Sequence, residues 1–67
     1  MEYYARLRIL RRERKLSQRE VAKLLNCTQE AYGMYELGKR KISVEKLIIL
    51  ARFYNVSLDY ITGLKDE

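Results

Sequence analysis

The sequence has no histidine, no proline and no tryptophan, and only one cysteine and three glycines. Each shortage removes a class of function. A single thiol excludes an internal disulfide, and with no histidine beside it the usual structural zinc sets cannot be assembled. Missing too are a histidine base, a cluster of metal ligands and a glycine-rich phosphate loop, so the common catalytic constellations are absent and no enzyme, cofactor or metal is expected. No apolar run reaches membrane-spanning length and no leader precedes the first polar residues, which points to a reducing cytoplasm and no membrane partner. No proline, repeat or low-complexity segment marks a linker. Sixty-seven residues then make one domain with a small core, near the lower limit for independent folding, so that dimerisation would help.

What is present is positive charge and helical periodicity. The net charge of +5 is unevenly spread. Residues 1–16 are strongly basic, residues 17–37 nearly neutral, 38–41 hold Lys39, Arg40 and Lys41, and the remainder is slightly acidic. Positive charge thus flanks a neutral unit, as when phosphate contacts position a module whose polar side chains read base edges. A merely solvated basic surface would show the same total, so the motif between the two basic segments decides.

That motif is Ser17–Gly38. Ser17 with Glu20 three residues later forms a capping box. Val21, Ala22 and Leu25 make a buried stripe, and Asn26 stops the helix because Asn enters the left-handed conformation readily. Ala22 is small where the motif's two helices should cross, while Leu24 falls off the stripe, facing solvent. Cys27 reads as a buried thiol used as a hydrophobe, since no base is at hand to activate it. Thr28 offers a second N-cap, Tyr32 and Tyr35 follow on a buried face, and Gly38 ends the helix. Two short helices joined by a tight turn fit at every point. Around them the periodicity predicts helices over residues 3–15, 18–25, 29–37, 44–54 and 58–62: an all-α chain of five helices. In the first, Leu7 and Leu10 face the core while Arg8, Arg12 and Lys15 face water. Ser43 and Ser57 cap the last two, and Leu47, Leu50, Ala51 and Tyr54 form the fourth helix's core face.

Ser17-Gln18, Val21-Ala22, Leu25-Asn26-Cys27-Thr28, Tyr35-Glu36 and Gly38-Lys39-Arg40 together resemble the Cro/phage-repressor-like (XRE-type) helix-turn-helix family. The resemblance continues through Ile42-Ser43, Leu47, Leu50-Ala51, Val56-Ser57-Leu58-Asp59 and Ile61, so it runs from about Leu7 to Gly63. It implies a phage-repressor-like DNA-binding domain with a central helix-turn-helix. It also implies that residues 29–37 enter the major groove, with Gln29, Glu30, Gly33 and Met34 facing the bases. Gln pairs with adenine, Glu accepts from cytosine N4 and Met lies against a thymine methyl. Gly33 either lets the helix backbone approach DNA or reflects a position under little demand. Gln18, Thr28, Lys39, Arg40 and Lys41 are then the phosphate contacts. The family pairs an Arg late in the first helix with a Glu late in the recognition helix, so Arg11 and Glu36 are expected as an ion pair. Lys15 stands where the family often has Gly, which predicts a strained turn.

The expected activity is sequence-specific binding of double-stranded DNA by a transcriptional regulator, a repressor reading a palindromic operator, on a bacterial or phage nucleoid. The alternative is a protein-interaction module, such as an antitoxin that covers a toxin. Ile49, Leu58 and Tyr60 carry apolar surface that the core does not use, and they are expected at a homodimer contact. No small-molecule ligand is expected.

Overall fold

The computed structural model describes residues 2–66. Five helices follow one another: α1 Tyr3–Glu13, α2 Gln18–Leu24, α3 Gln29–Leu37, α4 Val44–Tyr54 and α5 Leu58–Thr62. Their starts are written locally. Ser17, Thr28, Ser43 and Ser57 each accept a hydrogen bond from the backbone N–H three residues on, at 3.0–3.2 Å. Glu20 returns the favour to the Ser17 N–H at 2.8 Å, completing the capping box. Only α1 begins without a side-chain cap.

The helix ends share one device. Lys15, Asn26, Gly38, Asn55 and Gly63 all have positive φ, between 57° and 87°. The N–H of each following residue reaches back over the last turn, as Leu16 does to the Arg11 carbonyl and Lys39 to the Met34 carbonyl. This is the Schellman closure, in which a hydrophobic residue just past the stop packs back on the helix. Leu16, Cys27 and Val56 are those residues, and each is packed against the core.

Two boundaries differ from the sequence reading. α1 ends at Glu13, not at residue 15, because the left-handed Lys15 takes the chain out of the helix. α2 ends at Leu24 with Leu25 as its cap. Cys27 is half-buried, at the core's edge and not within it.

The core gathers Leu7, Leu10, Val21, Ala22, Leu25, Tyr32, Tyr35, Ile42, Leu47, Leu50, Tyr54 and Ile61. α1 is its spine, packing on α3 and α5, while α2 packs on α3 and α4 on α5. Fully burying one such side chain contributes about 1.5–3 kcal/mol. Charge also enters the interior: Arg6 is buried with its guanidinium 4.3 Å from the Tyr60 ring centroid, and Glu36 is buried with 1% exposure. Tyr60 is half-buried under Arg6 and packs on the core, so part of the surface expected to be spare is used within the protomer. No helix among the described residues is long and apolar enough to cross a membrane.

Candidate nucleic-acid interface

α3 is set by α1 and α2. Arg11 grips Glu36 with a two-pronged hydrogen bond, Nε to Oε2 at 2.7 Å and Nη2 to Oε1 at 3.0 Å. Its remaining nitrogen, Nη1, donates to the Leu16 carbonyl at 2.9 Å. Gln18 Nε2 donates to Glu36 Oε1 at 3.1 Å, which ties the first turn of α2 to the same carboxylate. Burial acts to raise the Glu36 carboxyl pKa, but hydrogen bonds led by that from Arg11 outweigh it and hold the carboxyl below its ordinary value. The side chain therefore stays ionised inside the domain.

Arg8 reaches the same helix end and donates to the Glu36 carbonyl. It is half-buried, which corrects the expectation that it faces water. The physical reason is that the last carbonyls of α3 have no partner within the helix and carry the negative end of its dipole. Below this polar cluster, burial raises the Tyr32 phenol strongly and pushes Tyr54 up to about 12. The Tyr32 phenol leans on the Glu36 carboxylate and helps to hold it ionised, while the Tyr54 oxygen has no hydrogen-bond partner among the described residues.

Held this way, α3 turns Gln29, Glu30 and Met34 to solvent and leaves Gly33 half-exposed. A shallow depression is lined by Gln18, Gln29, Glu30, Gly33, Met34 and Lys39, together with Leu37. A neighbouring one brings Arg40 beside Thr28, Glu30 and Met34. Eight of the nine residues assigned above to DNA thus share one continuous face. Lys41 lines a different depression, with Tyr3, Ile42, Leu47 and Thr62. α2 adds two cations that the sequence reading passed over. Arg19 and Lys23 flank Gln29 and Glu30 across a third depression. Their four-residue spacing on the solvent side of α2 was the available signal.

Gln29, which both donates and accepts, and Glu30, which accepts, project from a short helix, and cations stand on either side. Thr28 uses its hydroxyl oxygen to cap Ala31 N at 3.1 Å, so that oxygen is already engaged. Gln18 likewise commits one amide N–H to Glu36. Its Oε1 is turned toward Gly33, where a Cβ would stand 3.5 Å away, an ordinary contact. Packing therefore does not demand glycine at position 33.

The chain belongs to the helix-turn-helix family of the Cro/phage-repressor type, which matches it over residues 7–61. Two Bacillus subtilis proteins are similar to it, both described as uncharacterized HTH-type transcriptional regulators. YobD is 45% identical over 65 residues, covering 97% of this chain and 58% of that protein. YqaE is 41% identical over 61 residues, covering 91% of this chain and 51% of that one. A transcriptional regulator from Listeria innocua, known from its crystal structure, superposes with a TM-score of 0.90 at 32% identity, covering 98% of this chain and 62% of that chain. The chain thus spans between half and two thirds of the length of these relatives.

Proposed function

We propose that this protein binds double-stranded DNA sequence-specifically and regulates transcription, as a repressor at a palindromic operator. The observation that carries the proposal is the single face joining Gln29, Glu30, Gly33 and Met34 to Gln18, Lys39 and Arg40. α3 lies in the major groove, where Gln29 pairs with an adenine edge, Glu30 accepts from cytosine N4 and Met34 covers a thymine methyl. Thr28, Lys39, Arg40 and the amides at the start of α3 meet phosphates, with Arg19 and Lys23 extending that basic border. Lys41 contributes charge from outside this face. A homodimer presents two α3 helices roughly 34 Å apart, one helical turn of DNA. Ile49 and Leu58, both exposed, and Tyr60, half-buried, are the residues of the dimer contact.

Incubation with fragmented genomic DNA at physiological salt, followed by sequencing of the retained pieces, tests the reading. Strong retention of a few fragments sharing an inverted repeat is the expected result. Uniform weak retention would overturn it and favour a protein-interaction module, an antitoxin among them.

A further inference from the structure

Lys41 closes the basic run after α3, yet the cleft it lines lies apart from the depressions of the α3 face. The other walls are Tyr3 at the start of α1, Ile42 just before α4, Leu47 within α4, and Thr62 at the end of α5. Thr62 gives its hydroxyl proton to the Leu58 carbonyl at 2.7 Å, so that proton is not free for a ligand. No acidic side chain lines the cleft, and Lys41, exposed at its edge, is in no ion pair among the described residues. The cleft holds about 270 Å³, just short of the roughly 300 Å³ at which pockets for drug-sized ligands begin. Its occupant is therefore of the size of a single ring or a short branched chain.

We infer that this cleft binds a small apolar monocarboxylate, with its carboxylate on Lys41, and that its occupation weakens DNA binding. The occupant departs from the expectation of no small-molecule ligand, and charge complementarity selects it. An apolar body covers Tyr3, Ile42 and Leu47, and one negative charge meets the one cation of the lining. A second carboxylate would lose water there without a partner, which is costly. A bare phosphate would leave the apolar walls uncovered. The cleft also touches the DNA-binding machinery at two points. Lys41 belongs to the same loop as Lys39 and Arg40, so a bound carboxylate cancels charge beside them. The Tyr3 ring meets that of Tyr4 edge-on, with centroids 5.5 Å apart, and Tyr4 rests against Gly38 at the end of α3. By linkage, a carboxylate that weakens DNA binding is itself bound more weakly when DNA is present, and by the same factor. This effect on DNA rests on the function proposed above; the cleft itself does not.

Benzoate, benzamide and benzylammonium share one ring and differ in charge, which makes them the test compounds. In two-dimensional amide NMR titrations benzoate should shift Tyr3, Lys41, Ile42, Leu47 and Thr62 saturably, and benzamide should bind more weakly. Lys41 is exposed, so its variants should melt like the wild type. Lys41→Gln should bind benzoate about three- to fivefold more weakly and benzamide unchanged. Lys41→Glu should reverse the order and favour benzylammonium over benzoate. Shifts scattered over the surface cations, equal binding of all three compounds, or a Lys41→Glu chain that still prefers benzoate would each overturn the inference. So would shifts in the cleft that follow protein concentration and not benzoate, since they would place a second copy there. Retention of genomic fragments is then measured with saturating benzoate against an equal concentration of chloride. It should fall for the wild type and much less for Lys41→Gln, and unchanged wild-type retention would overturn the effect on DNA. A wild type that follows the charge order in the cleft but prefers no fragment would uphold the carboxylate site while removing the DNA reading.

Discussion

The ring of Tyr4 lies across Gly38, with its Cε1 2.5 Å from where a Cβ on that glycine would stand. Gly38 also has φ +75°, so two independent constraints, one local and one from α1, fall on the residue that ends α3. Gly38→Ala should therefore cost on the order of 1–3 kcal/mol. Adding Tyr4→Ala should return the part due to the ring. Chemical denaturation of both single variants and the double variant measures this, and full additivity would remove the contact.

Arg11 and Glu36 should show coupling of about 0.5–3 kcal/mol in a double-mutant cycle on unfolding free energies. Glu36→Ala alone should cost roughly 3–5 kcal/mol, since it leaves a guanidinium without its partner. Strict additivity would mean that the pair holds nothing together.

The same carboxylate gives an acid limb to stability. Its folded-state pKa lies below the ordinary 4.5, so on acidification the unfolded chain takes the proton first. The stabilisation is complete above that ordinary value and is lost as pH falls through the folded-state value. Thermal melts of the wild type should fall in this window, and those of Glu36→Gln, less stable at neutral pH, should fall less. Parallel curves would assign the limb to other groups.

Gly33→Ala separates folding from binding. Relative to Ala, Gly in a helix interior is less favourable by about 0.8–1.0 kcal/mol, and the new methyl meets Gln18 at an ordinary distance. The variant should therefore be more stable than the wild type. If α3 approaches DNA closely at this point, it should also bind its operator more weakly. A variant that gains stability and binds unchanged would show that position 33 is under little demand.

Gln29→Ala should cost about 1–3 kcal/mol at one base pair and leave random DNA unaffected. Lys39→Ala and Arg40→Ala should weaken all sequences and each lower the salt slope by about one. Titrations against operator and random DNA at several salt concentrations distinguish the two classes. Equal weakening on both DNAs by Gln29→Ala would take that residue out of base reading.

Helix starts, stops and core stripes were legible because they are local. Ser17 with Glu20, Asn26 and Asn55 act within a few residues of themselves. The pairing of Arg11 with Glu36, 25 residues apart, was expected only through the family resemblance, since no local pattern links them. What escaped depended on neighbours brought from elsewhere in the chain. Arg8 and Arg12 look alike in sequence, yet only Arg8 lies beneath the end of α3. Arg6 gave no sign that it would be buried against Tyr60, which lay 54 positions ahead. Arg19 and Lys23 were visible as cations, but their place beside Gln29 depends on how α2 crosses α3.

The five left-handed stops have a kinetic consequence. Because each closure is built from a carbonyl and an N–H five residues apart, the place where each helix stops is specified by residues close in sequence. The search that remains is the docking of five segments, partly between neighbours such as α2 with α3 and α4 with α5 and partly of α1 onto α3 and α5. Chains dominated by local contacts of this kind fold in microseconds to milliseconds. A domain that refolds so quickly spends little time with its apolar stripes uncovered, and is correspondingly protected from aggregation while it folds.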